Sequence, residues 1–156
     1  MPRILETRIG SARPLSGGEA LVIGLGVASG DIGSRVSLVL AEHSMTPSQY
    51  HALRMLRGAG AAGLSHADIG KRLLARAPDV TRMMDQLERR HWISREPSEA
   101  DRRIVIHRIT REGRAMLVTV AAPLGALYDD LQAFLGSKAS AQLLGLCERV
   151  IAFSQQ

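Results

Sequence analysis

Apolar side chains recur at helical spacing between Glu19 and His43, where Leu21, Leu25, Ala28, Ile32, Val36, Val39 and Leu40 fall on one face. This predicts a long first helix. Ahead of it, residues 1–18 carry Pro2, Pro14 and Gly17-Gly18 among scattered arginines and read as a flexible arm. Thr46-Pro47-Ser48-Gln49 combines an N-cap hydroxyl, a proline at the first helical position and a glutamine at the third, with Met45 and Tyr50 spaced as a hydrophobic staple. The helix it opens buries Tyr50, Leu53 and Leu56 and stops at Gly58 and Gly60. Ser65-x-x-Asp68 starts a shorter helix bearing Ile69 and Leu73. A further helix opens at Pro78, and its Val80, Met83, Met84 and Leu87, at i, i+3, i+4 and i+7, make one buried face. That leaves Asp79, Thr81, Arg82, Asp85, Gln86 and Arg89 pointing outward. Beyond His91, the run Trp92 to Arg95, a polar loop from Glu96 to Asp101 and the β-branched run Ile104 to Ile109 predict a hairpin. Thr110 caps a long helix with Met116, Leu117, Val120, Leu124, Leu127, Leu131 and Phe134 on one side, kinked near Pro123. Gly136-Ser137 ends it and begins a last helix with Leu143, Leu144, Leu146, Cys147, Val150 and Ile151.

The fold class is therefore mainly α with a small β-hairpin wing. Residues 45–110 form a winged helix-turn-helix, and residues 19–44 and 111–156 flank it with helices. Those helices carry more apolar surface than the central unit can cover, which predicts N- and C-terminal dimerisation helices. A chain of 156 residues with 46% hydrophobic content is one domain with a core. With two Phe, two Tyr and one Trp, that core must be aliphatic.

Charge adds a direction to this picture. Between Lys71 and Arg114 stand 12 Lys and Arg against 7 acids, while the remainder of the chain holds 8 of each. The whole excess of +5 sits in one segment, as a protein facing a polyphosphate requires.

The run from Met45 to Leu53, then Pro78-Asp79-Val80-Thr81-Arg82-Met83-Met84-Asp85-Gln86-Leu87-Glu88-Arg89-Arg90, then Asp101-Arg102-Arg103 and Ile109-Thr110-Arg111-Glu112-Gly113 resemble the MarR (multiple-antibiotic-resistance regulator) family. The resemblance spans about residues 45–115. It implies a homodimeric, ligand-responsive transcriptional regulator, usually a repressor, bound to a pseudo-palindromic operator in double-stranded DNA, with its first and last helices intertwined. Carried over by position, Ser65 to Leu74 is the positioning helix and Pro78 to Arg90 the recognition helix. Thr81 and Arg82 take base-edge and phosphate contacts in the major groove, and Arg76 a phosphate. Ser65, Pro78, Asp79, Gln86, Arg89, Arg95 and Arg102 complete the DNA-facing set. Arg103 matches an arginine that enters the minor groove in relatives, and Asp101 the acid that orients it. His91 departs from the pattern, since most relatives have glycine there. A left-handed backbone at that point costs a non-glycine residue roughly 1–2 kcal/mol and leaves the angle of the wing open.

Other chemistries compete for a few residues. The run Val22-Ile23-Gly24-Leu25-Gly26-Val27-Ala28-Ser29-Gly30, with Glu42 downstream, imitates a strand entering a dinucleotide-binding glycine turn. Only about seven residues separate Ser29 from Leu38, short of the crossover that fold needs, so a nicotinamide-dinucleotide enzyme is the alternative from another class. The glycines then serve close helix packing across a dimer. Histidines 43, 51, 66, 91 and 107 are scattered, and Glu42-His43 diverge on a helix, so no metal set is assigned. Cys147 lies beside Leu146 and Val150 and reads as a core cysteine. A redox- or metal-responsive regulator of the same fold remains the nearer alternative. Arg35, His43, His51 and Arg54 lie on elements that would line the family's effector pocket and suit a carboxylate or phenolate, although a solvated helix face has the same composition. Neither a catalytic set nor a cofactor motif is found. The apolar run Ala20 to Ser29 is too short and glycine-rich to span a bilayer. A secretory signal is lacking, and the lone cysteine suits the cytoplasm.

Overall fold

Four hydroxyl side chains set where four helices begin. In the computed structural model, which describes residues 4–73 and 80–155, Ser16, Thr46, Ser65 and Thr110 each accept the backbone N–H three residues on. Each bond satisfies a donor that a helix start otherwise leaves unpaired. They open α2 (Gly17–Ala41), α3 (Pro47–Ala59), α4 (His66–Arg72) and α6 (Arg111–Leu135), and α5 (Val80–Arg89) and α7 (Ser137–Phe153) complete the long elements. Both α2 and α3 close full capping boxes, through Glu19 and Gln49. The predicted flexible arm is corrected in part: Ile4–Ile9 form a short helix, α1, that lies against α2. Leu5 stands 3.5 Å from where a Cβ on Gly24 would be, and Arg8 bonds Asp31 at 2.7 Å. Gly58 lies inside α3, which stops only at Gly60. Pro123 sits within an uninterrupted α6.

Two corners repeat one device. At the end of α2, Ser44 is left-handed (φ +53), with Ser44 N–H donating to Ala41 C=O and Met45 N–H to Leu40 C=O. At the end of α5, His91 is left-handed (φ +58), with His91 N–H donating to Glu88 C=O and Trp92 N–H to Leu87 C=O. Both are Schellman stops, each sealed by a buried apolar pair, Leu40 with Met45 and Leu87 with Trp92. His91 therefore adopts the conformation that the family's glycine would supply. His91→Gly should raise Tm by about 2 °C in a thermal melt, since relief of roughly 1 kcal/mol outweighs the extra entropy of an unfolded glycine. An unchanged or lower Tm would show that the corner is unstrained.

The hairpin is one strand richer than predicted. Strands β1 (Leu64–Ser65), β2 (Ile93–Pro97) and β3 (Val105–Ile109) form an antiparallel sheet in the order β1-β3-β2, with Leu64 opposite His107 and Arg95 opposite His107 on the other side. Gly63 (φ +67) admits β1, because a Cβ there would lie 2.5 Å from the His107 carbonyl oxygen. The core packs α3, α5 and the sheet against the first half of α6 through Leu53, Leu56, Met84, Leu87, Trp92, Leu117, Val120 and Leu124. Beyond it the apolar faces lie open. Helix α7 buries no residue and α2 only Leu40, while Leu21, Val22, Leu38, Phe134, Leu144 and Phe153 are exposed. Helix α2 is long and apolar enough to cross a bilayer by length and composition, beyond the short run noted above. Its C-terminal part is instead tied into this core through Val36, Val39 and Leu40.

Candidate nucleic-acid interface

Helix α5 leaves one face exposed by burying the opposite one. Met83, Met84 and Leu87 are buried and Val80 is half-buried, which leaves Thr81, Arg82 and Arg89 exposed. Thr81 Oγ1 lies 3.4 Å from His66 Nε2, so the starts of α4 and α5 stand side by side. Arg76, Pro78 and Asp79 fall outside the described residues.

Three predicted DNA contacts are otherwise engaged. Ser65 Oγ accepts the Asp68 N–H and donates to the Asp68 carboxylate at 2.6 Å, which holds that carboxyl below its usual range. Gln86 accepts from the buried Gln49 side chain at 2.9 Å, whose oxygen in turn caps Thr46 N–H; this polar bridge fixes α5 to α3. Arg95 bonds Asp85 at 2.5 Å and lies 3.1 Å from Glu88. These side chains build a frame behind the exposed face of α5. Sequence periodicity placed Gln86 outward because it sees only its own helix.

At the wing tip, Asp101, Arg102 and Arg103 are all exposed. Asp101 Oδ1 accepts the backbone N–H of Arg103 at 3.0 Å, so the acid orients Arg103 through its main chain and leaves the guanidinium to reach outward. Two more arginines of the basic segment act as stitches. Arg108 donates to the Ala61 carbonyl and to Glu96, both at 2.7 Å. Arg90 donates to the Ser44 carbonyl and lies over the Trp92 ring, joining the two left-handed corners. Neither role has a local sequence signal, since the carbonyls of Ser44 and Ala61 lie 46 and 47 residues away.

The four effector candidates separate. His51 and Arg54 line a cavity of about 390 Å³ with Met55 and Arg72, whereas Arg35 and His43 are not among its walls. Burial and the nearby Arg54 hold His51 below its usual pKa, so the imidazole stays neutral there. A second, apolar groove of about 540 Å³ separates α6 from α7 and includes Tyr128, Leu131, Leu144 and Cys147. Cys147 is thus half-exposed on this groove and outside the core to which its neighbours assigned it. Among the described residues no three His, Cys, Asp or Glu converge as a metal site would require. The glycine run at 22–30 is helical throughout, so no strand enters it.

A model of the MarR family matches residues 45–105. The chain is 25% identical over 130 residues to the HTH-type transcriptional regulator MhqR of Bacillus subtilis, covering 83% of this chain and 88% of that one. It is 32% identical over 93 residues to the HTH-type transcriptional regulator PecS of Dickeya dadantii, covering 54% and 56%. Its fold resembles that of Staphylococcus aureus MepR in a DNA complex, with a TM-score of 0.75 at 19% identity over 89% of this chain and 98% of that one. It also resembles apo MarR from E. coli, with a TM-score of 0.70 at 23% identity over 88% and 98%.

Proposed function

We propose that the chain is a DNA-binding transcriptional regulator of the MarR family and no enzyme, as the family model over residues 45–105 and the HTH-type relatives support, and that it acts as a homodimeric repressor on a pseudo-palindromic operator. Thr81 and Arg82 read base edges and phosphates in the major groove, Arg103 enters the adjacent minor groove, and Arg89 and Arg102 contact phosphates. The observation that supports this reading is the joint exposure of the α5 start and the Asp101-braced wing tip, which the β2 strand and its Arg95 pairing connect. The unpartnered apolar faces of α2, α6 and α7 support dimerisation through those helices. Dimer symmetry then sets half-sites about one helical turn apart. Such a regulator works where the chromosome is, in the cytoplasm.

The cavity at His51, Arg54 and Arg72 supports release by a small anion of the carboxylate or phenolate class, because two guanidiniums face it. Segments on α3 and α4 line it together, so a ligand there bears on the helix that positions α5.

Binding-site selection from random DNA tests the reading. A palindrome should emerge, with Arg82→Ala and Arg103→Ala each weakening binding about tenfold or more, the first by relaxing base preference and the second mainly on A·T flanks. Salt-sensitive binding with no selected sequence would overturn it.

A further inference from the structure

We infer that Arg95 is a positioning residue, which clamps the wing to the recognition helix so that Arg103 meets the minor groove while Thr81 and Arg82 are seated in the major groove. The inference rests on the reading of Arg103 given above.

Arg95 projects from β2 onto α5, where Asp85 and Glu88 stand i, i+3 on the face turned to the sheet. Its guanidinium donates to Asp85 at 2.5 Å, and its Nε lies 3.1 Å from Glu88 as an ion pair whose N–H is off-line for a hydrogen bond. At 26% exposure the arginine side chain is the most enclosed of the three, against 47% and 43% for the acids. Two carboxylates around one cation leave no net positive potential for a phosphate. A planar guanidinium can bridge them, whereas an ammonium would choose one.

The mechanical need for such a clamp follows from the chain path. Between the last residue of α5 and the first of β2 lie only Arg90, His91 and Trp92, and His91 is the left-handed pivot. The five residues of β2 make a lever of roughly 16 Å at about 3.3 Å per residue. A rotation of about 10° at the pivot would then move the tip by about 3 Å, half the roughly 6 Å width of a minor groove. Arg90 holds the pivot against Ser44, and Arg108 holds β3 against the turn at Ala61. Arg95 ties the strand to the reading helix partway along that lever.

The test is a set of double-mutant cycles on the full-length protein, with the selected duplex as probe and a second duplex whose A·T flanks are replaced by G·C. In the wild-type background Arg103→Ala should weaken binding about tenfold on A·T flanks. In an Arg95→Met background the same change should have less than about a twofold effect, while Arg82→Ala keeps its full effect. Arg95→Met should leave the slope of log K against log salt unchanged, whereas loss of a phosphate contact would lower it by about 1. Asp85→Asn with Glu88→Gln should reproduce the loss of flank preference, although removing two acids near DNA would otherwise tighten binding. If Arg95→Met does not fold, this acid pair and Arg95→Lys carry the test. An undiminished Arg103 effect in the clamp variants, or a reduced salt slope, overturns the inference. Absence of any Arg103 effect in the wild type overturns the wing reading itself, and the inference with it.

Discussion

Gly113→Ala should lower Tm by about 10 °C and take DNA binding with it at growth temperatures. Gly113 is the third residue of α6, where its N–H donates to Thr110 Oγ1 at 3.0 Å. A Cβ at this position would lie 2.2 Å from the Trp92 carbonyl oxygen and 2.9 Å from Ile109 Cγ1. That carbonyl cannot retreat freely, because it accepts the Thr110 N–H at 3.0 Å. Thr110 Oγ1 also donates to the His91 carbonyl at 2.6 Å, so the helix start, the sheet and the left-handed corner close on one another. The methyl must therefore break a cap or push apart the junction, at a cost of about 3 kcal/mol or more. At about 2–4 °C per kcal/mol for a chain of this size, the melt moves by about 10 °C. Gly58→Ala serves as the control, since a Cβ there meets nothing within 4 Å inside α3 and should be neutral or slightly stabilising. Equal melting of Gly113→Ala and the parent would show that the junction yields, and the Thr-x-x-Gly spacing would need another explanation.

That junction also shows what a sequence can and cannot declare. Thr46, Ser65 and Thr110 were legible as caps because a hydroxyl and the N–H it serves are three residues apart, a relation fixed by helix geometry alone. The left-handed corner at His91 came only from the resemblance, most of whose members carry glycine there, and nothing in the local sequence marks it. Strand β1 was not legible, since two residues admit no alternation and its pairing depends on β3, some 40 residues later. Gln86 and Arg95 carried outward, basic-segment patterns yet are held by Gln49 and by Asp85 with Glu88. Periodicity assigns a face, but whether another element already covers that face is settled by tertiary packing. The same limit hid Arg72, whose place beside His51 and Arg54 depends on how α4 meets α3.

Acidification should destabilise the protein between pH 6.5 and 4.5, and His107 should account for most of the loss. His107 is 2% exposed at the centre of the sheet, and among the described residues neither ring nitrogen has a hydrogen-bond partner. Burial first, then the nearby Arg95 and His66, outweigh Asp85 and push its pKa down from 6.5 to about 4. These groups reach it from β2, α4 and α5. In the unfolded chain the ring titrates near 6.5, so between these values the unfolded state binds a proton that the folded state refuses, and stability falls as pH falls. The stabilising contribution is complete above pH 6.5 and is lost as pH drops toward 4. The ceiling on this change is about 3 kcal/mol, and about 2.5 kcal/mol should already be gone at pH 4.5. His51, also held below its usual value by burial, adds a smaller change of the same sign. The depressed carboxyls Glu19 and Asp68 lose their contribution only at lower pH, which leaves this window to the histidines. His107→Leu preserves volume and removes two unsatisfied nitrogens, so it should be near neutral at pH 7 and flatten the decline toward pH 4.5. Urea midpoints measured every half pH unit would separate the outcomes: parallel curves for His107→Leu and its parent would assign the acid sensitivity to other groups.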